Sequence, residues 1–134
     1  MKADRQLTAL AGEFFVAGEL SKRGLQTSVT FGNAKAIDLL AHNPRTRRTF
    51  AVQVKTLRYR NYFLVDPRRV EADYVYVFAL LNKPGVPVEY YVVCGGELLA
   101  DPSRFDQHPS LPGIHPSRLE DFRDNWELFE EPSH

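Results

Sequence analysis

Polar side chains stand in this sequence where packing would favour hydrocarbon. Asp38 interrupts the apolar run Ala36-Ile37-Asp38-Leu39-Leu40-Ala41, and an ionised carboxylate buried there without a partner is costly enough to take up a proton instead. Fifteen positions on, Gln53 begins the string Gln53-Val54-Lys55. If that string is a strand, Gln53 and Lys55 leave the same face of a sheet about 7 Å apart. Asn43-Pro44-Arg45 between the two stretches reads as a tight turn, and pairing across it would bring all three groups together. A hard cation such as Mg²⁺ prefers carboxylate, amide carbonyl, water and phosphate oxygens, and a nearby ammonium can orient an attacking water or help to deprotonate it. Such a set is the equipment for phosphodiester hydrolysis.

Glu13 adds a second carboxylate. Its helical neighbours Ala9, Leu10, Val16, Ala17 and Leu20 are apolar, so no cation on the same helix pairs with it. Glu19 differs, because Lys22 and Arg23 stand three and four residues on. Glu13 is therefore the helical acid expected to serve a site.

The elements that must position these groups follow from periodicity. From about Asp4 to Arg23, apolar residues recur at helical spacing (Leu7, Leu10, Ala11, Phe14, Phe15, Leu20), and Gly24 stands where a C-cap glycine would. One long amphipathic helix is predicted, packed through that stripe. Gln26–Phe31 is β-prone, Gly32-Asn33 signals a turn, and Ala36–His42 is a second strand. Thr49–Thr56 alternates, with Phe50, Val52 and Val54 on one side and Ala51, Gln53 and Lys55 on the other. A basic, aromatic connection from Arg58 to Ala72 has a short helix starting at Pro67; it leads to strands at Tyr74–Leu81 and Val88–Cys94. Gly95-Gly96 reads as a bare turn, Ser117–Arg123 as a short helix, and Trp126 and Phe129 as a hydrophobic clasp of the tail onto the core. The order is α/β, with a mixed central sheet flanked by helices.

These residues resemble the PD-(D/E)xK nuclease superfamily, which has the restriction-endonuclease-like fold and includes archaeal Holliday junction resolvases. The likeness runs over roughly residues 7–81, through Glu13 ahead of Gly24, Asp38 in Ala36-Ile37-Asp38-Leu39-Leu40, and Gln53-Val54-Lys55 as a variant of the E-x-K element. It implies an αβββαβ core and a Mg²⁺-dependent endodeoxyribonuclease, with Mn²⁺ as a possible substitute. Asp38, Gln53 and Glu13 would then hold the metal, and Lys55 would activate the water or steady the transition state. Restriction, homing, repair and junction-resolving enzymes all occur in the superfamily. The departure is Gln53 where an acid is usual, which removes one negative charge and implies weaker metal binding. It also supports the alternative of a catalytically inactive nucleic-acid- or protein-binding module.

The whole chain bounds the reading further. Its 134 residues fit a single domain. Seventeen Lys+Arg balance seventeen Asp+Glu, so attraction to a polyanion must be local. Arg45, Arg47 and Arg48 form one cluster; Arg58, Arg60, Arg68 and Arg69, interleaved with Tyr59, Tyr62 and Phe63, form another. Arg45, Arg47, Arg48, Arg58 and Arg60 are the candidates to contact DNA phosphates. No apolar run approaches the ~20 residues of a membrane span, the start of the chain lacks the apolar stretch of a secretory signal, and Cys94 is the only cysteine. A cytoplasmic protein is expected. His42, His108, His115 and His134 lack zinc-ligand spacing. Cutting two strands calls for two sites, so a homodimer or higher homo-oligomer is expected.

Overall fold

The computed structural model describes residues 2–30, 37–106 and 112–132. Predicted features at Phe31, Gly32-Asn33 and Ala36, and His108 and His134, lie outside them. Helix α1 spans Lys2–Lys22. Its end is a Schellman motif: Leu25 N donates to Leu20 O and Gly24 N to Ser21 O, both at 3.0 Å, with Gly24 at φ 93°. A residue with a Cβ is disfavoured at that positive φ, so glycine here fixes where the helix stops.

Strands β1 (Gln26–Val29), β2 (Leu39–Asn43) and β3 (Arg48–Leu57) form an antiparallel meander. Strand β3 then pairs in parallel with β5 (Val75–Leu80), which pairs antiparallel with β6 (Glu89–Cys94). The five-stranded mixed sheet has the order β1-β2-β3-β5-β6. Parallel neighbours require a crossover, commonly a helix. In this chain residues 58–74 make it with a two-residue strand, β4 (Phe63–Leu64), and one 3₁₀ turn at Pro67–Arg69. That is shorter than the helix expected between the third and fourth strands. Pro67 permits only a helix start, Asp66 caps Arg68 N at 3.0 Å, and Phe63 and Val65 turn into the core.

Each face of the sheet has its own core. Beneath α1, Val16 and Leu20 meet Leu39, Ala41, Val52, Val54 and Val77, and the tail closes the layer through Trp126 and Phe129. Phe129 lies edge-on to Phe50, with ring centroids 5.0 Å apart. The predicted clasp is present, and buried Asn43 fastens it by donating from Nδ2 to Phe129 O at 2.9 Å. On the opposite face, Tyr76, Phe78, Tyr91 and Val93 pack against Phe63, Leu98, Ile114 and Leu119. Those partners come from β4, α2 (Gly95–Ala100), β7 (Gly113–Ile114) and the junction between the 3₁₀ turns Pro116–Arg118 and Glu120–Phe122. Strand β5 is thus buried on both sides, as a central parallel strand must be.

Sequence periodicity misjudged three elements. The stripe Leu7, Leu10, Phe14 and Phe15 does not face the sheet: these residues are 39–57% exposed. Contact runs instead along Gly12, Val16 and Leu20, because Gly12 lets the backbone of α1 approach β3 more closely than a bulky side chain would. A Cβ on Gly12 would lie 1.8 Å from Thr56 Oγ1. Gly95-Gly96 is not a bare turn: it opens α2, and the amides of both glycines donate to the carbonyls of Tyr74 and Ala72. The helix expected over Ser117–Arg123 is a pair of 3₁₀ turns.

Candidate active site

The second core layer covers β5 and β6 but stops short of β2 and the middle of β3. Ala51, Gln53 and Lys55, on that face of β3, are left half-buried, while Phe50, Val52 and Val54 on the other face are buried. The alternation predicted for this strand is therefore observed, and it leaves an amide and an ammonium on a partly open shelf.

A second feature makes the shelf a site. Strand β2 pairs with β3 only as far as Leu39 opposite Val52. Asp38 N donates to Val52 O at 3.0 Å, and then the Asp38 side chain takes over, with Oδ2 accepting from Val54 N at 2.8 Å. Thr30, just past β1, holds Asp38 from the other side: its backbone N donates to Asp38 O at 2.9 Å, and its Oγ1 donates to Ile37 O at 2.5 Å with Asp38 O 3.1 Å away. The carboxylate is fixed where two strands part, and among the described residues its only hydrogen bond is the one that Oδ2 accepts.

The electrostatics tie the set together. Burial raises the Asp38 carboxyl above its usual range, against the opposing pull of the Val54 amide and the Lys55 charge. Glu13 is raised by burial and then by the negative charge of Asp38, which places the helical acid beside the strand acid. Lys55 is lowered, chiefly by burial; Asp38 opposes that shift and Arg69 adds to it. Mutual attraction alone would push Asp38 down and Lys55 up, so desolvation outweighs that attraction for both groups. Asp38 is thus the member whose charge is felt by both Glu13 and Lys55. Glu19, by contrast, pairs with Arg23 at 3.4 Å, as its spacing suggested.

Gln53 is tied to the set by its strand alone. It lies two residues before Lys55 on the same face, opposite Tyr76 of β5, and no described residue hydrogen-bonds its side chain. Among the described residues no three His, Cys, Asp or Glu side chains converge as a metal site. Glu13 and Asp38 supply only two acids, and a neutral amide oxygen would have to complete the set. This donor set fits a hard, oxygen-preferring divalent cation, whose charge would offset the burial that raises both carboxyls.

The basic clusters separate. Arg45, Arg47 and Arg48 occupy the β2–β3 turn and its exit, and seven residues of β3 put roughly 23 Å between Arg48 and Lys55. Arg45 pairs with Glu130, and the Arg48 guanidinium lies 4.6 Å from the Phe50 ring centroid. Arg58 and Arg60 follow β3 directly, on the site's side of the fold, and Arg58 Nε donates to Thr8 Oγ1 at 3.0 Å. Arg60 approaches the Tyr91 hydroxyl.

Sequence reasoning missed three contributors. Thr30 grips Asp38, Gly12 seats the helix that carries Glu13, and Arg69 adds positive charge beside Lys55. Arg69 was legible only as a member of the basic cluster, not as a neighbour of Lys55, and Gly12 carried a signal of its own, since glycine inside a helix costs about 1 kcal/mol relative to alanine and calls for a packing reason.

Comparison with solved structures agrees with this architecture. The chain is similar to Hjc of Archaeoglobus fulgidus, a Holliday junction resolvase from an archaeal hyperthermophile, with 16% identity and a TM-score of 0.59 over 94% of this chain and 98% of that one. It is also similar to I-Ssp6803I, a bacterial homing endonuclease, with 14% identity and a TM-score of 0.58 over 93% of both chains. No protein-family model matches the chain, and no curated protein matches it. The chain has the restriction-endonuclease-like fold on which PD-(D/E)xK nucleases are built, with its candidate site at the open edge of β3.

Proposed function

We propose that this protein is a divalent-metal-dependent DNA endonuclease acting as a homo-oligomer in the cytoplasm. The observation that carries the reading is the meeting of Glu13, Asp38 and Lys55 where β2 leaves β3, on a fold shared with a junction resolvase and a homing endonuclease.

Asp38 and Glu13 would hold the cation, Mg²⁺ or Mn²⁺, with the Gln53 amide oxygen beside them. Such an ion, when bound, polarises the phosphoryl group and makes water acidic enough to attack at neutral pH. Lys55 has two uses. Its charged form stabilises negative charge that builds on the phosphate, and its lowered pKa gives it more of the neutral, proton-accepting form than an ordinary lysine has. The backbone clamps on Asp38 keep its carboxylate from turning away as substrate arrives. Arg58 and Arg60 would meet the phosphates flanking the cut.

Gln53 favours a second reading, an inactive DNA-binding module on the same scaffold. Incubation with linear duplex, single strand, RNA and a four-way junction in Mg²⁺ and in Mn²⁺ separates the two. The nuclease reading expects at least one DNA substrate to be cut; binding of DNA with no cleavage of any substrate in either metal would establish the module.

A further inference from the structure

Beside the site lies a cleft of about 410 Å³, within the ~300–1,000 Å³ range of small-ligand sites. It runs between the first turns of α1, the end of β3 and β4, and Lys55 lines it. Its walls are largely apolar, formed by Ala9, Leu57, Phe63 and Leu64. Leu64, 60% exposed, lines this cleft. Arg5 and Arg58 also line it, and the Thr8 hydroxyl fixes the Arg58 side chain. The cleft therefore combines apolar walls, two guanidinium groups and the lysine of the site.

We infer that this cleft receives one unpaired nucleotide next to the cleaved phosphate, so that the substrate is DNA with a locally unstacked strand rather than fully paired duplex. The inference rests on the nuclease reading for its account of Lys55. The faces of a base are apolar and come free only when the base leaves the stack; paired DNA offers mainly phosphates and groove edges and would leave these walls wet. Phosphates on either side of an extruded nucleotide match the charges of Arg5, Arg58 and Lys55, all of which line the cleft. Tyr59, exposed directly after Arg58, is placed to stack on the next base.

The test is fluorescence anisotropy in Ca²⁺, with labelled duplexes that are fully paired or carry one unpaired nucleotide, on wild type, Ala9→Trp and Leu64→Asp. Both substituted positions are exposed; one variant fills the cleft and the other places charge in its wall, so a folding failure of either leaves the other to decide. Wild type should bind the unpaired-nucleotide duplex roughly tenfold more tightly, in line with the stacking of one base on a protein surface. Both variants should lose that preference and keep the affinity for paired duplex. Equal binding of the two duplexes by wild type, or a preference that survives both variants, overturns the inference. Cleavage in Mg²⁺ is read separately: cutting without the preference refutes the cleft alone, and the preference without cutting refutes the nuclease reading while the cleft assignment stands.

Discussion

Asp38 Oδ2 accepts the amide of Val54 at 2.8 Å, so the side chain of one strand caps the backbone of the next where the main-chain ladder between them ends. An unpaired edge amide would otherwise need water or another partner. The same bond aims the carboxylate along β3 toward the shelf of Gln53 and Lys55. Fold and site are coupled at this point: the residue that ends the pairing is the residue proposed to hold the cation.

The raised carboxyls make stability depend on pH. Asp38 and Glu13 titrate above their ordinary values of 3.8 and 4.5 in the folded chain, so between those values and the folded ones the native state binds more protons than the unfolded state. Stability therefore falls as pH rises through that window, and the penalty is complete above the folded values. Asp38→Asn keeps an acceptor for Val54 N and removes the charge, so it should melt at or above the wild-type temperature at neutral pH. Mg²⁺ should raise the wild-type Tm and leave that of Asp38→Asn nearly unchanged. Calorimetry with and without Mg²⁺ reads both effects; a variant melting well below wild type would contradict the assignment.

Gly12→Ala should destabilise the fold by about 1–3 kcal/mol although alanine is the better helix former. Its Cβ would meet Thr56 Oγ1 at 1.8 Å and Thr56 Cβ at 2.8 Å, so rotating the hydroxyl away does not relieve the clash. Urea denaturation measures the loss, and Thr56→Gly in the same chain should reduce the destabilisation caused by Gly12→Ala. Unchanged stability in Gly12→Ala would mean that α1 has room to move away from β3.

Gln53→Glu should lower the Mg²⁺ concentration needed for half-maximal cleavage by severalfold, because it adds a third carboxylate to a site that has two. The comparison is a metal titration of wild type and variant on one DNA substrate. An identical requirement would place Gln53 outside the metal's reach.

Arg58 and Arg45 should behave differently on DNA. Arg58→Ala should weaken binding and reduce the salt slope of log K by about 1. Arg45→Ala should leave affinity unchanged and cost no more than about 1 kcal/mol of stability, the range of an exposed ion pair, since Arg45 is already paired with Glu130. Binding isotherms across a range of salt concentrations decide it, and the opposite ranking would move the DNA track to the β2–β3 turn.

The legible parts of this molecule were those encoded by neighbours in sequence. Alternation from Phe50 to Lys55 marked β3 and its two faces, an acid inside an apolar run marked Asp38, and Gly24 marked the end of α1. Contacts between distant segments left weaker traces. The helix turns Gly12, not Phe14 or Phe15, toward the sheet because Thr56 stands 44 positions away in the place a side chain would fill, and hydrophobic periodicity carries no information about that gap. Thr30 reads as an ordinary β-prone residue until the fold sets its hydroxyl on Asp38 O. Gly95 looked like a turn because its need for close approach comes from Glu71 O, 1.9 Å from where a Cβ would sit. Arg69 reaches the surroundings of Lys55 only through a crossover whose single 3₁₀ turn replaced the expected helix.

Lys55, set close enough to Asp38 for their charges to interact, is the residue proposed to act on a phosphodiester. The most direct test of that role is the nicking rate of supercoiled plasmid by wild type and Lys55→Ala side by side in Mg²⁺, with DNA affinity measured in parallel. The account predicts that wild type nicks and that Lys55→Ala is slower by about 10²-fold or more while its affinity for DNA changes little. Equal nicking by the two proteins, or none by either, would contradict it.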